Sequence, residues 1–189
     1  MLSALVLVLM VVLICLFFKG IYNISRAIVL RVAFISKLSK LCKDKSYKLS
    51  LVRNPAFSFF RLSSAPDMIL KTNDSEYIIR LITCRHRKRI WYFINDRIYV
   101  RVFRVFFTLR YSHRMDPFDV SKKLGHIPSL DKKYIKPNST PVYIFNPSPI
   151  EINYITEDNE KKLGANGSVI HGTAIYNGKG FLNMLGGRE

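Results

Sequence analysis

Residues 89–103, RIWYFINDRIYVRVF, hold two runs of β-branched and aromatic residues parted by Asn95-Asp96. Such residues suit the pleated, half-buried surface of a sheet. Asn and Asp tolerate positive φ, which a two-residue hairpin loop needs, so strands are predicted over 89–94 and 97–103. That loop sets Ile94 opposite Arg97, Tyr92 opposite Tyr99 and Trp91 opposite Val100. Successive side chains leave a strand on opposite sides, so the hairpin has two unlike faces. Trp91, Phe93, Ile98, Val100 and Val102 form an apolar face expected in the core. Tyr92, Tyr99, Arg97 and Arg101, beside Ile90 and Ile94, form a basic aromatic face expected to be at least partly wet.

On either side of this hairpin, the same residue types predict strands at 77–83, 141–145 and 150–155. The last two are parted by Asn146-Pro-Ser-Pro149, whose prolines cannot donate to a ladder and so set a turn or a crossing. Residues 168–176 read as one more strand with Gly172 as a bulge. Phe181–Leu185 reads as a short helix, ended by Gly186-Gly187 in a left-handed cap. Gly164–Gly167 and Gly178–Gly180 read as hairpin turns. Met115–Lys136, with Pro117 and Pro128, reads as a long surface connection in which Phe118–Leu124 is the candidate helix. The expected class is α+β, a mixed or antiparallel sheet domain over residues 46–189, with the sheet either open or closed into a barrel.

The N-terminal segment differs from this body. Ala4–Phe18 is an unbroken apolar run, and every Lys and Arg lies after it. A helix rising about 1.5 Å per residue crosses most of a hydrocarbon core of roughly 30 Å over this length, so residues 1–20 are predicted to be a single transmembrane anchor. A cleaved signal peptide would carry a basic residue before the run and a small-x-small site after it, and neither is present. Positive flanks stay on the cytosolic side, and Lys19, Arg26, Arg31, Lys37, Lys40 and Lys43 all follow the run. The expectation is a signal-anchor in the cell membrane, with the N-terminus outside and the folded part cytosolic.

Residues 21–45 are predicted as a juxtamembrane basic helix. Ile21, Ile24, Ile28, Val32, Ile35 and Leu38 recur at helical spacing, with Lys19, Arg26, Lys37 and Lys40 on the other side and Arg31 off that stripe. Such a helix lies on anionic lipid, packs its isoleucines into the domain, or, continuing from the anchor, does both. Gly20 either bends the chain or is tolerated within one long helix. Cys15, Cys42 and Cys84 are an odd number, which favours a reducing compartment over a disulfide framework. Asn23, Asn138 and Asn166 head glycosylation-type triplets, and sugar on Asn138 would contradict the cytosolic placement.

The net charge of +17 points to an acidic partner, while 49% apolar and 13% aromatic residues are too many for a disordered chain. Arg85, Arg87, Lys88, Arg89, Arg97, Arg101, Arg104 and Arg110 crowd the hairpin region, where Asp96 is the only acid. With Tyr99 and Tyr92 interleaved, this pattern serves phosphate pairing and base stacking on single-stranded nucleic acid. It equally serves contact with anionic headgroups of the lipid bilayer, or simply satisfies the positive-inside bias.

Chemistry-bearing motifs are sparse. Cys84-Arg-His86 supplies two ligand types where zinc takes four, and Pro117 argues against a helix that would align His113, Asp116 and Asp119. No serine or cysteine nucleophile stands in a recognisable setting, and the glycine turns lack the Lys-Ser/Thr of a phosphate loop. Pro66-Asp67, the run 77–82 and Arg87-Lys88-Arg89 together resemble the nuclease family named for its PD-(D/E)xK motif. In that family an aspartate and an acid-x-lysine pair bind a divalent metal and activate water. The resemblance covers Pro66–Phe93, but Arg80-Leu81-Ile82 stands where the pair would be and Glu76-Tyr77-Ile78 lacks the lysine. It therefore implies a degenerate nuclease-like fold without an intact metal site, binding nucleic acid. The leading expectation is a non-catalytic membrane-anchored binding or scaffold module at the anionic inner leaflet, with no metal or cofactor and a protein partner left open.

Overall fold

The computed structural model describes residues 2–54, 64–83, 89–94, 97–102, 126–127, 130–149, 151–155, 161–170 and 172–187. A single helix, α1 (Leu2–Asp44), runs through Gly20 without a break. A Cβ placed on Gly20 meets no atom within 4 Å, and the glycine is tolerated inside the continuous helix. The helix ends where Ser46 enters the left-handed region, with the Tyr47 N–H returning to the Cys42 carbonyl at 2.8 Å.

Among the described residues eleven strands follow: β1 (Lys48–Leu51), β2 (Met68–Lys71), β3 (Glu76–Ile82), β4 (Arg89–Ile94), β5 (Arg97–Val102), β6 (His126–Ile127), β7 (Ser139–Phe145), β8 (Glu151–Ile155), β9 (Lys161–Leu163), β10 (Val169–Ile170) and β11 (Thr173–Asn177). The helix α2 (Gly178–Gly186) closes the described chain. The strands form two sheets, ordered β1-β2-β3-β7-β11-β10 and β6-β5-β4-β8-β9. In the first, β3, β7 and β11 are parallel and the other neighbours antiparallel. In the second, β4 and β8 are parallel.

The first sheet is covered on both faces. On one side Phe34, Ile35, Leu38 and Cys42 of α1 join Phe181 and Leu185 of α2 over Met68, Leu70, Ile79, Leu81, Val142 and Ile144. Tyr77 and Tyr176 meet the Phe181 ring edge-on, with centroids 6.0 and 5.5 Å away. On the other side Ile78, Ile82, Tyr143, Phe145 and Ile175 pack with Ile152 and Tyr154 of β8. The second sheet thus backs the first, giving helices, sheet and sheet in three layers.

The hairpin has the expected two-residue register, with Trp91 opposite Val100, Tyr92 opposite Tyr99 and Ile94 opposite Arg97. Parallel pairing sets Trp91 beside Ile152 and Phe93 beside Tyr154 in register. The strands expected at 77–83, 141–145 and 150–155 are β3, β7 and β8, and the proline segment between β7 and β8 carries the chain from one sheet to the other.

Several expectations need correction. Residues 168–176 are not one bulged strand: β10 and β11 pair antiparallel, and Gly172, at φ +73°, belongs to the turn between them. Gly178–Gly180 is no hairpin turn, because Asn177 caps α2 there by accepting the Gly180 N–H at 2.6 Å. Gly164–Gly167 joins β9 to β10 across the two sheets. The expected Gly187 cap is present, left-handed at φ 69°. The long connection includes β6 and a 3-10 turn at Lys132–Tyr134, while Phe118–Leu124 lies outside the described residues.

The buried stripe of α1 also differs from the one expected. It comprises Ala27, Arg31, Phe34, Ile35, Leu38 and Cys42, whereas Val32 and Ile21 are exposed. An arginine interrupting the apolar pattern concealed the true face. Ile35 and Leu38 pack into the core, while Ile24 and Ile28 are only half-buried.

A Cβ added to Gly180 would land on the Asn166 side-chain amide, whose Oδ1 accepts the Asn177 N–H at 2.9 Å. Gly180→Ala is therefore expected to displace the exposed Asn166 amide and lose its hydrogen bond, at a cost of about 0.5–1.5 kcal/mol, read as a lowered midpoint in chemical denaturation of the full chain.

Candidate functional site

Asp67 stands just before β2, where the main-chain ladder between β2 and β3 gives out. Its N–H reaches the Ile79 carbonyl at 2.9 Å, and its Oδ2 accepts the Leu81 N–H at 2.7 Å. Arg31 reaches the same place from α1. Its Nη2 lies 3.2 Å from Asp67 Oδ1, and its Nη1 donates to the Leu81 carbonyl at 2.6 Å and to Thr83 Oγ1 at 3.1 Å. Asp67 and Arg31 together continue the sheet's hydrogen bonding with side chains and tie α1 to β3. Both are buried, Arg31 at 2% exposure. Burial lowers the affinity of the Arg31 guanidinium for its proton, and the Asp67 carboxylate opposes that shift.

Arg80, on β3 and paired in register with Tyr143 of β7, is also buried. Burial lowers its pKa as well, with the Tyr143 side chain and Asp67 opposing. The Tyr143 hydroxyl accepts the Leu130 N–H at 3.0 Å. Both Asp67 carboxylate oxygens are thus engaged, Oδ1 by the Arg31 guanidinium and Oδ2 by the Leu81 N–H.

The carboxylates named by the nuclease resemblance do not converge. Register pairs Glu76 with Lys71, at the far end of the β2–β3 ladder from Asp67, about 13 Å away along the strand. Glu76 instead pairs with Lys71 and Lys136, each at 3.7 Å. Among the described residues no group of three or more His, Cys, Asp or Glu is arranged to hold a metal ion.

Of the basic residues singled out earlier, Arg85, Arg87, Lys88 and Arg104 lie outside the described residues, as do Cys84, His86 and Arg110. Arg89, Arg97, Tyr99 and Arg101 take their places in β4 and β5. Lys19, Arg26, Lys37 and Lys40 are exposed on α1. Lys37 and Lys40 line an open cleft of about 550 Å³ with Leu41, Lys45, Leu182 and Asn183, between α1 and α2.

Two functional-looking residues were not singled out from the sequence. Arg31 could have been found as the single charge within an otherwise apolar i, i+3/i+4 stripe. Asn153 had no such signal; it is buried at 1% exposure on β8, the strand between β4 and β9. No family model matches the chain, and neither do curated proteins or solved structures.

Proposed function

We propose that this chain is a single-pass, membrane-anchored binding module whose basic domain stands on the cytosolic side against anionic lipid, without catalytic activity of its own. The observation that supports the reading is the division of α1. Its apolar stretch holds an 18-residue window long and apolar enough to cross a membrane, and none of that window is buried against protein. Farther along, Ala27, Arg31, Phe34, Leu38 and Cys42 of the same helix are core residues. Hydrophobic surface left bare by the domain is surface that a bilayer would cover.

Continuity of the helix also ranks the basic residues. Lys19 and Arg26 stand about 10 Å apart along the axis, within one Debye length at physiological salt. Lys37 and Lys40 stand about 27 and 32 Å beyond Lys19, so an upright α1 holds them clear of the headgroups. Lys19 and Arg26 are then the lipid-facing pair, each contributing on the order of 1 kcal/mol.

Val11→Arg, in the middle of the exposed stretch, is expected to disfavour insertion by about 2.5–3.5 kcal/mol and to shift the chain from the carbonate-resistant membrane fraction to the soluble or aggregated one. Retention in membranes at the unaltered level would overturn the anchor. Orientation is tested separately: protease added to intact cells should spare the domain, and Asn138, which is exposed, should carry no sugar. Digestion of the domain, or glycosylated Asn138, would reverse the topology.

A further inference from the structure

The open cleft of about 550 Å³ between α1 and α2 has a cationic wall and an apolar floor. Lys37, Lys40, Leu41 and Asp44 recur at i, i+3, i+4 and i+7, so they share the face of α1 beside its buried stripe. Leu182 of α2 stands across from them, and both leucines pack, half-buried, against the core of the first sheet. The helices come close at one end of the cleft, where a Cβ added to Gly186 would lie 4.0 Å from Leu41 Cδ1. Lys45, just past the end of α1, completes the rim.

Lys37, Lys40 and Lys45 are exposed and form no ion pair among the described residues, although Asp44 shares their wall. Lys43 already supplies the cation that suits the last turn of α1, so three further lysines exceed what the helix dipole calls for. An upright α1 holds Lys37 and Lys40 about 27 and 32 Å beyond Lys19, roughly three Debye lengths or more from the chain's own headgroups. We propose that this cleft docks an acidic amphipathic helix of a partner protein, its apolar side chains on Leu41 and Leu182 and its carboxylates against Lys37, Lys40 and Lys45.

Each part of the cleft favours that occupant. A groove between two packed helices accepts the ridge of a third. Carboxylates flanking an apolar stripe complement lysines flanking an apolar floor, and the charges set orientation and encounter rate. A nucleic-acid strand would want stacking partners, and no aromatic side chain among the described residues lines the cleft. Only the exclusion of the chain's own bilayer rests on the anchored reading; the lysines, the floor and the volume do not.

The test uses the full chain in phosphatidylcholine nanodiscs, with empty nanodiscs as the blank. Its probe is a synthetic amphipathic helix whose leucine stripe is flanked by glutamates. Saturable binding is expected, weakened roughly tenfold by Lys37→Glu combined with Lys40→Glu, and weakened by added salt. Lys132→Glu combined with Lys133→Glu removes the same charge from the exposed 3-10 turn outside the cleft and should leave affinity within about twofold. Probes with glutamine for glutamate, or alanine for leucine, should bind roughly tenfold more weakly. A probe with lysine for glutamate should prefer the Lys37→Glu, Lys40→Glu protein to the parent, which separates a lost contact from a misfolded domain. The proposal is overturned by no binding, by equal loss in the two double variants, or by equal binding of the glutamine or alanine probe. Tighter binding of a single-stranded oligonucleotide through Lys37 and Lys40 would overturn it as well. The anchor is judged separately by Val11→Arg, so the two readings fail independently.

Discussion

Arg31→Leu is expected to destabilise the protein by about 3–5 kcal/mol, because it leaves the Asp67 carboxylate buried without its cation. For a domain of this size the loss corresponds to a fall in melting temperature of roughly 6–20 °C. The same change orphans the Leu81 carbonyl, which accepts from Arg31 Nη1. Adding Asp67→Asn to Arg31→Leu should return about 1–3 kcal/mol, since the buried charge disappears while an amide oxygen remains to accept the Leu81 N–H. Thermal unfolding of the full chain in mild detergent measures both. A single variant within 1 kcal/mol of the parent, or a double variant no better than the single, would show that the pair does not hold α1 to the sheet.

Phe181→Ala is expected to cost about 3–5 kcal/mol. Phe181 is fully buried where α2 meets α1 and the first sheet, and it contributes the ring against which Tyr77 and Tyr176 pack edge-on. Truncation removes the transfer free energy of the ring and leaves a cavity between layers that cannot fully collapse. The two tyrosines also lose their aromatic partner, worth about 0.5–1.5 kcal/mol per pair beyond area. Phe181→Leu, which fills much of the volume, should recover about half of the loss. Equal destabilisation by both variants would locate the cost in ring stacking rather than in the cavity.

The hairpin at 89–102 was legible because its information is local: two residues that accept positive φ, flanked by runs whose alternation admits one register. The strands β3, β7 and β8 were legible for the same reason, as continuous β-branched and aromatic runs. By contrast β1 and β2, reading Lys-Leu-Ser-Leu and Met-Ile-Leu-Lys, are only four residues each, and β2 owes its form to the neighbouring β3 and β1 to β2. The split into two sheets depends on pairings between distant segments, such as β3 with β7 and β4 with β8. The true face of α1 was hidden because Arg31 was counted as polar, although Asp67, 36 residues later, makes it a core residue. Asn153 is ordinary in sequence and becomes distinctive only when β8 is inserted between β4 and β9.

The uninterrupted course of α1 has a mechanical corollary. Because the bare half and the packed half are one helix, the folded body has no swivel between them. The heading of every sheet face is set by the azimuth of the rod, and twisting the rod would carry Arg31 away from Asp67. A piston-like slide by one helical turn, about 5.4 Å, would do the same. Any force that tugs or rotates the bare end is thereby delivered, through the packed side chains of α1 and the Arg31 guanidinium, to the middle of the sheet.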